Sequence, residues 1–224
     1  MIMEWLFPSQ CVCCQTFTSR RTKICEFCLD DFPFFALEQS NLLLRPDIAR
    51  LMNLPHCDGL IACGWYQGAL KVWLSDYKFH RRTHHKAILQ QLITHQMQRF
   101  CQTSNFSPDL CLIMPLTYRR YFWRGYNQVS QTWRPALENI APINSCLMRV
   151  KQTKPQSELN RRQRRNNIKG AFCVTQSLRG KNVIVVDDVI TTGSTMDEAA
   201  RACLEAGAAK VWAFATALTP LFSK

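Results

Sequence analysis

One segment near the C-terminal end of the chain combines an apolar run, two adjacent carboxylates and a loop of small polar residues. Residues 183–186 are all Val or Ile, which predicts a strand buried on both faces, as in a parallel sheet. Asp187 and Asp188 follow, and residues 191–195 lead into residues 196–204 of helical composition. Backbone N–H groups and the helix dipole favour an anion at such a helix start. The segment therefore predicts a phosphate site in an α/β fold.

The acidic pair requires a role of its own, because two carboxylates beside an anion site would repel phosphate. They suit a vicinal diol, a hydrated Mg²⁺, or both. The simpler alternative is an ordinary strand-to-helix turn in which Ser194 or Thr195 only caps the helix. A Walker A phosphate loop is excluded, because no Gly-Lys-Ser/Thr follows.

The complete string resembles the 5-phosphoribosyl-1-pyrophosphate (PRPP) signature of type I phosphoribosyltransferases. The resemblance implies that Asp187 and Asp188 lie near the ribose hydroxyls and that Mg²⁺ is bound together with PRPP. It also implies that the loop wraps the 5′-phosphate. The loop residues are Thr191, Thr192, Gly193, Ser194 and Thr195.

Strand and helix patterns alternate along the second part of the chain. Apolar runs predict strands over residues 58–66, 110–116, 171–175 and 211–218, and helical periodicity predicts helices over 68–78, 83–101 and 128–139. Pro135 is expected to kink or shorten the last helix. We expect an α/β fold, a type I phosphoribosyltransferase-like parallel sheet flanked by helices, with a small N-terminal zinc-ribbon-like module. The expected divisions are a zinc-knuckle module (1–35), a linker (36–57) and a phosphoribosyltransferase-like domain (58–224).

The N-terminal cysteines form two C-x₂-C knuckles, Cys11/Cys14 and Cys25/Cys28. Two such turns complete a tetrahedral Zn²⁺ site, and four protein ligands make that site structural. A redox dithiol or chance clustering is the alternative. Cys13 leaves an ambiguity, because a C-x-C arrangement would substitute it for one ligand.

The remaining composition fits a cytoplasmic protein with anionic partners. The formal charge is +12, which suits phosphates, pyrophosphate or nucleic acid without distinguishing them. No stretch reaches the roughly 18 apolar residues that a membrane helix needs. The chain has 12 cysteines, and those outside the knuckles are mostly scattered in apolar segments, as buried thiols are in a reducing cytosol. Cys57 and Cys63 beside His56 are poorly spaced for a second metal.

A basic stretch follows the predicted strand over residues 110–116. Arg120 and Arg124, with Gly125 beside them, suit bidentate binding of phosphate or pyrophosphate. The interleaved aromatic residues would alternatively stack on bases of single-stranded nucleic acid. A solvated basic turn with inward-packed aromatics is the third possibility.

This stretch and three others resemble the ComF/GntX family, which is associated with competence and DNA utilisation. The shared segments are Pro115-Leu116 with Arg124-Gly125-Tyr126-Asn127-Gln128, Tyr77-Lys78-Phe79, Thr153 to Phe172, and the N-terminal cysteines. Around His56 and Cys57 the chain lacks a second cysteine-rich knuckle that some relatives carry.

The ComF/GntX resemblance implies that Arg120, Arg124 and Lys78 lie near the pyrophosphate. It also implies that residues 151–169 form a flexible hood that closes on substrate; its arginines are Arg161, Arg162, Arg164 and Arg165. A disordered nucleic-acid-binding arm is the competing interpretation of that segment.

The function expected from this resemblance is PRPP binding in DNA uptake, competence or DNA utilisation, with phosphoribosyl transfer to an acceptor that the sequence does not identify. Asp187, Asp188, Arg120, Arg124 and Lys78 are the candidate catalytic residues. The alternative is a non-enzymatic adaptor or single-stranded DNA-binding factor that works with DNA-uptake machinery proteins. Since one fold hosts many activities, the fold alone does not decide between them.

Overall fold

The computed structural model describes residues 9–19, 22–37, 41–79, 84–117, 122, 125–151 and 167–220. The strands are β1 (Ser9–Gln10), β2 (Phe17–Thr18), β3 (Gly59–Trp65), β4 (Leu110–Ile113), β5 (Ile143–Asn144), β6 (Leu147–Arg149), β7 (Phe172–Val174), β8 (Asn182–Ile190) and β9 (Lys210–Leu218). The helices are α1 (Glu26–Asp30), α2 (Pro46–Ala49), α3 (Gly68–Phe79), α4 (His85–Thr103), α5 (Gln128–Leu137) and α6 (Ser194–Glu205), and a 3₁₀ turn covers Leu42–Leu44.

Five parallel strands form the central sheet in the order β3-β9-β8-β4-β5. The predicted α/β class is therefore confirmed. Two antiparallel pairs, β1 with β2 and β6 with β7, stand outside this sheet. Because β4 and β8 are parallel neighbours, their carboxyl ends meet at one edge, where ligands bind in open α/β sheets.

The central strand β8 extends two residues beyond the acidic pair. Asp187 pairs with Ala215, and Ile190 pairs with Leu218. Alternate residues of the strand enter different clusters, since Val185 packs into the core on one face of the sheet and Val186 into the core on the other. This burial on both faces explains the apolar run, which has no polar alternation.

The neighbouring strand β4 ends at Ile113, although the sequence predicts a strand to residue 116. Met114 N–H still donates to the Val186 carbonyl at 2.9 Å. Pro115 has no N–H to continue the ladder. The chain therefore leaves the sheet here, at the same edge as the end of β8.

Helix α5 continues past Pro135 and ends at Leu137, two residues before the predicted end. Pro135 has no N–H for the carbonyl of Gln131, four residues earlier. The side chain of Gln90 supplies the missing donor, because its Nε2 donates to that carbonyl at 2.8 Å. A contact between α4 and α5 thus replaces the lost helix bond.

The longest helix, α4, has an apolar stripe and a polar face. Its buried residues recur at helical spacing, as Leu89, Leu92 and Ile93 show, and Gln96 is buried with them. Gln96 Nε2 donates to the carbonyls of Phe35 and Ala62, both at 3.0 Å. In the part of the chain that the structure describes, no helix is both long and apolar enough to cross a membrane.

The N-terminal cysteine segment packs on α3 and α4. Ile24 is fully buried against residues of these helices, including Leu74 and Leu89. Gln91 of α4 holds the same segment, because its Oε1 accepts from the N–H groups of Lys23 and Ile24 at 3.0 Å each, and its Nε2 donates to the Ile24 carbonyl at 2.6 Å. The cysteine segment therefore shares one core with the helices of the sheet domain.

Substitution of Gly59 by Ala tests the packing at the start of β3. A Cβ at this position would lie 2.4 Å from the Trp212 ring, a distance that side chains do not adopt. We expect Gly59→Ala to lower the free energy of unfolding by about 2 kcal/mol, as overpacking does in cores. Urea denaturation measures this loss in the free energy of unfolding. Gly180→Ala, at a position with φ +73° and no atom within 4 Å of a Cβ, gives the separate cost of backbone strain; a Gly59→Ala variant as stable as the unmodified protein would contradict the overpacking argument.

Candidate functional site

The two adjacent carboxylates of β8 differ in burial. Strand geometry directs consecutive side chains to opposite faces. Asp187 is half-buried, whereas Asp188 is 8% exposed. Asp187 Oδ1 accepts a hydrogen bond from Asp188 N–H at 2.8 Å. The acidic pair therefore presents two carboxylates in two different environments.

Asp188 is held in a buried network of charge and hydrogen bonds. Lys78 Nζ lies 2.8 Å from Asp188 Oδ2, and Gln128 Nε2 donates to the same oxygen at 3.0 Å. Val189 N–H donates to Asp188 Oδ1 at 2.7 Å. Burial raises the pKa of Asp188, but the Lys78 charge and these hydrogen bonds outweigh burial and hold the pKa below its usual value. The Asp188 carboxylate is therefore ionised, and the ammonium group of Lys78 balances its charge.

Two helix termini bring the partners of Asp188 into place. Lys78 belongs to the last turn of α3, and Gln128 is the first residue of α5. Asn127 caps α5 by accepting from the N–H groups of Val129 and Ser130, and its Nδ2 donates to the Met114 carbonyl at 3.0 Å. The cap thus ties the start of α5 to the end of β4.

The contact between Gln128 and Asp188 is not predictable from the sequence. Gln128 stands out in the sequence only as part of a family motif, and 60 residues separate it from Asp188. Gln128 is 4% exposed, and its Oε1 is buried and has no hydrogen-bond partner among the residues that the structure describes. Helical periodicity signals the burial of Gln128, but no sequence signal identifies its partner.

The predicted phosphate loop forms the start of α6. Gly193 is the N-cap with φ +85°, a left-handed conformation that favours glycine. Thr192 Oγ1 lies 3.1 Å from Ser194 Oγ. Within the described part of the chain, the N–H of Gly193 donates to no protein acceptor. The loop therefore offers hydroxyls and a backbone donor at a positive helix end, the chemistry of an anion site.

A segment from the predicted linker lies against this loop, a contact that the sequence does not predict. Asn53 N–H donates to the Thr192 carbonyl at 3.2 Å. His56 contacts Asp197 in the first turn of α6, with its Nδ1 3.1 Å from both carboxylate oxygens. These residues lie 139 and 141 positions apart in the sequence, so neither spacing nor composition relates them.

Several predicted site residues lie outside the described residues. These are Arg120 and Arg124 of the basic stretch, and Arg161, Arg162, Arg164 and Arg165 of the expected hood. The described residues that flank the expected hood are well anchored. Val150 N–H donates to the Ala171 carbonyl at 2.9 Å, and Gly170 N–H donates to Glu198 Oε1 at 2.6 Å.

The four knuckle cysteines converge at a single point. The Sγ atoms of Cys11, Cys14, Cys25 and Cys28 all lie within 4.8 Å of one another. Cys13 is exposed and is not a member of this cluster. Four thiols at this separation match the donor set of a tetrahedral metal such as zinc. The predicted cysteine cluster is therefore confirmed, and its residues could bind a metal.

Backbone N–H groups donate hydrogen bonds to one sulfur of this cluster. Cys11 Sγ accepts from the N–H groups of Cys13 at 3.5 Å and Cys25 at 3.3 Å. Burial raises the pKa of Cys11, but hydrogen bonds from the backbone of Cys14, Cys25 and Cys13 together outweigh burial and lower that pKa to about 6. A sulfur that is anionic at neutral pH is the form that binds a metal.

About a third of the chain, within its second half, matches a known domain. The family model described as the phosphoribosyl transferase domain matches residues 143–220. This range holds the acidic pair of β8, the loop at residues 191–195 and helix α6. Together with the parallel sheet, the match places the chain in the class of phosphoribosyltransferase-domain proteins.

Relatives over most of the chain identify the family within this class. The DNA utilization protein YhgH of Escherichia coli O157:H7 is 31% identical over 164 residues, which are 72% of each chain. YhgH of Salmonella typhimurium is 29% identical over 204 residues, 90% of this chain and 86% of the relative. Competence protein F of Haemophilus influenzae is 29% identical over 202 residues, 86% and 84% of the two chains. The chain belongs to the family of YhgH and competence protein F, which confirms the resemblance to ComF proteins.

Proposed function

We propose that this chain binds PRPP together with Mg²⁺ in DNA utilisation or DNA uptake. One observation carries the proposal: the acidic pair, the loop whose Gly193 N–H has no acceptor among the described residues, and the start of α6 follow one another at the carboxyl end of a central strand. A ligand with a phosphate at one end and a diol beside it matches that order of groups. The phosphoribosyl transferase domain and the names of the relatives support the same ligand and setting.

The proposed binding mode gives the two carboxylates of β8 different roles. Asp187 is the carboxylate that meets the ribose hydroxyls and a hydrated Mg²⁺, an oxygen-donor role that suits this cation. The negative charge of Asp188 is neutralised by Lys78, and Asp188 in turn fixes the Lys78 ammonium group at the same edge of the sheet. The bound Mg²⁺ would neutralise pyrophosphate charge. In this proposal Lys78, Arg120 and Arg124 are the cationic side chains near the pyrophosphate end.

Each end of the ligand then has a matching surface. Thr191, Thr192, Gly193, Ser194 and Thr195 bind the 5′-phosphate through hydroxyl and backbone donors. The arginines at 161, 162, 164 and 165 bring positive charge to the pyrophosphate and exclude water when the hood closes. If transfer occurs, an acceptor nucleophile attacks the anomeric carbon and pyrophosphate leaves with its bonding electron pair.

The proposal includes a structural Zn²⁺ held by Cys11, Cys14, Cys25 and Cys28. The fit rests on four convergent sulfurs and on the N–H groups that stabilise the Cys11 sulfur. Four protein ligands leave no open position, so this ion would stabilise the fold and take no part in transfer. None of the 12 cysteines forms a disulfide, and we propose a cytoplasmic location, since reducing compartments keep thiols out of disulfides.

A non-enzymatic adaptor or a single-stranded DNA-binding factor is the second candidate, favoured by the charge of +12 and by the relatives' association with DNA utilisation and competence. A screen of candidate acceptors for pyrophosphate release from PRPP separates the two. Release with one acceptor supports the enzyme. Salt-sensitive DNA binding that PRPP leaves unchanged, without pyrophosphate release, supports the second candidate.

Substitution of Asp187 by Asn tests the proposed division of roles. We expect the variant to bind PRPP with Mg²⁺ about tenfold more weakly, because a neutral amide loses the charge that attracts the cation. The midpoint of thermal unfolding should change by less than about 3 °C, since Asp187 is half-buried and the Asp188–Lys78 pair is intact. Calorimetric titration and a thermal melt measure the two effects. Unchanged affinity would contradict the role given to Asp187.

A further inference from the structure

The residues that lie against the phosphate loop come from a distant part of the chain. Residues 53–57, which we call the brace, precede β3 and lie outside the matched domain at residues 143–220. Asp58, the next residue, is anchored to the sheet, because its Oδ2 accepts from Val211 N–H at 2.8 Å and its own N–H donates to the Val211 carbonyl at 2.8 Å. The brace is thus fixed at its C-terminal end.

The first contact of the brace fixes a peptide plane of the loop. Asn53 N–H donates to the Thr192 carbonyl, and the described peptide bonds are all trans. The C=O and N–H of a trans peptide point in opposite directions. The N–H of Gly193 therefore points away from the brace. If this peptide flipped, a carbonyl oxygen would replace the donor that an anion needs.

The second contact is a close approach of the two backbones. A Cβ on Gly193 would lie 2.9 Å from the Asn53 carbonyl oxygen and 2.9 Å from Leu54 Cδ2. No side chain other than hydrogen fits between the loop and the brace. The glycine is therefore required both for its positive φ and for this approach.

The third contact joins the brace to helix α6. His56 N–H donates to Asp197 Oδ1 at 2.9 Å, and His56 Nδ1 lies 3.1 Å from both carboxylate oxygens. A carboxylate only accepts, so Nδ1 carries the hydrogen. Asp197 N–H in turn donates to the Gly193 carbonyl at 2.8 Å. One chain of hydrogen bonds thus runs from His56 through Asp197 to the phosphate loop.

We infer that His56 is a positioning residue for the phosphate loop, acting through Asp197, and that the brace selects ligands with a phosphomonoester end. The inference rests on the proposed function, since it deepens the description of that site. His56 holds the first turn of α6, and Asn53 holds the Thr192–Gly193 peptide with its N–H on the side away from the brace. The pyrophosphate end of the ligand lies at other residues and does not depend on the brace.

Two substitutions of His56 separate positioning from general stability. His56→Asn places an amide nitrogen where Nδ1 stands and retains the donor to Asp197, whereas His56→Gln displaces the amide by one bond. We expect His56→Gln to bind ribose 5-phosphate and PRPP roughly tenfold more weakly, the loss expected for a hydrogen bond to a charged group. Its affinity for inorganic pyrophosphate should stay within about twofold, and His56→Asn should bind all three probes like the unmodified protein. Calorimetric titration of the full chain measures these affinities.

Three results of the titrations would overturn the inference. The first is unchanged binding of ribose 5-phosphate by His56→Gln, and the second is an equal loss of ribose 5-phosphate affinity in His56→Asn. The third is a loss of pyrophosphate affinity in His56→Gln as large as the loss of ribose 5-phosphate affinity, because that pattern reports general destabilisation.

Amide hydrogen exchange keeps the inference separate from the proposed function. If the unmodified protein binds neither ribose 5-phosphate nor PRPP, the proposed function fails. Exchange of residues 191–197 then tests the brace alone, and we expect it to be roughly tenfold faster in His56→Gln than in His56→Asn. Equal exchange in both variants would show that His56 does not position the loop.

Discussion

Replacing Cys11 with Ser should remove the metal of the N-terminal cluster. The freshly purified protein is expected to carry about one zinc ion per chain, and the variant less than about a tenth of that. Cys11 is 1% exposed, and its Sγ accepts two backbone N–H bonds, so a serine oxygen there is neither a good zinc ligand nor free to move aside. Because metal binding supplies folding energy to so short a segment, the variant should also lose the packing of Ile24 on α4. Elemental analysis and proteolytic sensitivity of residues 9–35 measure the two losses.

Cys13 provides the matched control. Its thiol is exposed, two positions from Cys11, and lies outside the four-sulfur cluster. Cys13→Ser should therefore retain the metal and the protection from proteolysis. Absence of zinc from the unmodified protein, or equal metal loss in both variants, would contradict the structural zinc site.

Replacing Asp188 with Asn should destabilise the whole domain. The amide can still accept from Val189 N–H, but it leaves Lys78 without its counter-charge at a site where the two side chains are 11% and 23% exposed. Breaking a buried pair in this way costs about 3 kcal/mol. For a chain of this length we expect the midpoint of thermal unfolding to fall by about 6–12 °C. Differential scanning calorimetry at neutral pH measures the shift.

A double variant and a pH series identify the cause. Lys78→Met added to Asp188→Asn removes the uncompensated ammonium and should recover part of the stability. Since the folded pKa of Asp188 is lowered, its contribution is complete above the unfolded pKa of about 4 and is lost as pH falls through the folded pKa. The stability difference between the unmodified protein and Asp188→Asn should thus be constant from about pH 7 to 5 and shrink below about pH 4. A difference that does not depend on pH would exclude the ion pair as its source.

Local sequence patterns predicted the parts of the fold that are built from long, regular elements. The β-branched run of β8 and the stripe of α4 carry clear periodicity, so their positions followed directly from the sequence. Strands β5, β6 and β7 have two or three residues each, too few for a period to appear. The passage of α5 through Pro135 depends on a donor from Gln90, and such long-range compensation has no local signal.

The candidate site likewise contains parts that the sequence predicts and contacts that it does not predict. Asp187, Asp188 and the loop at residues 191–195 were predicted because they are contiguous, and the four cysteines because C-x₂-C spacing is specific. The ion pair of Asp188 with Lys78 and the contact of His56 with Asp197 join residues 110 and 141 positions apart. Parallel sheets bring such residues together only through crossover connections, so their contacts follow from topology and not from spacing.

Calorimetric titration of the unmodified protein with PRPP, in the presence and absence of Mg²⁺, tests the central claim most directly. We expect saturable binding of about one PRPP per chain, strengthened by Mg²⁺, with ribose 5-phosphate competing for the same site. Absence of PRPP binding by folded, metal-loaded protein at millimolar ligand would contradict it.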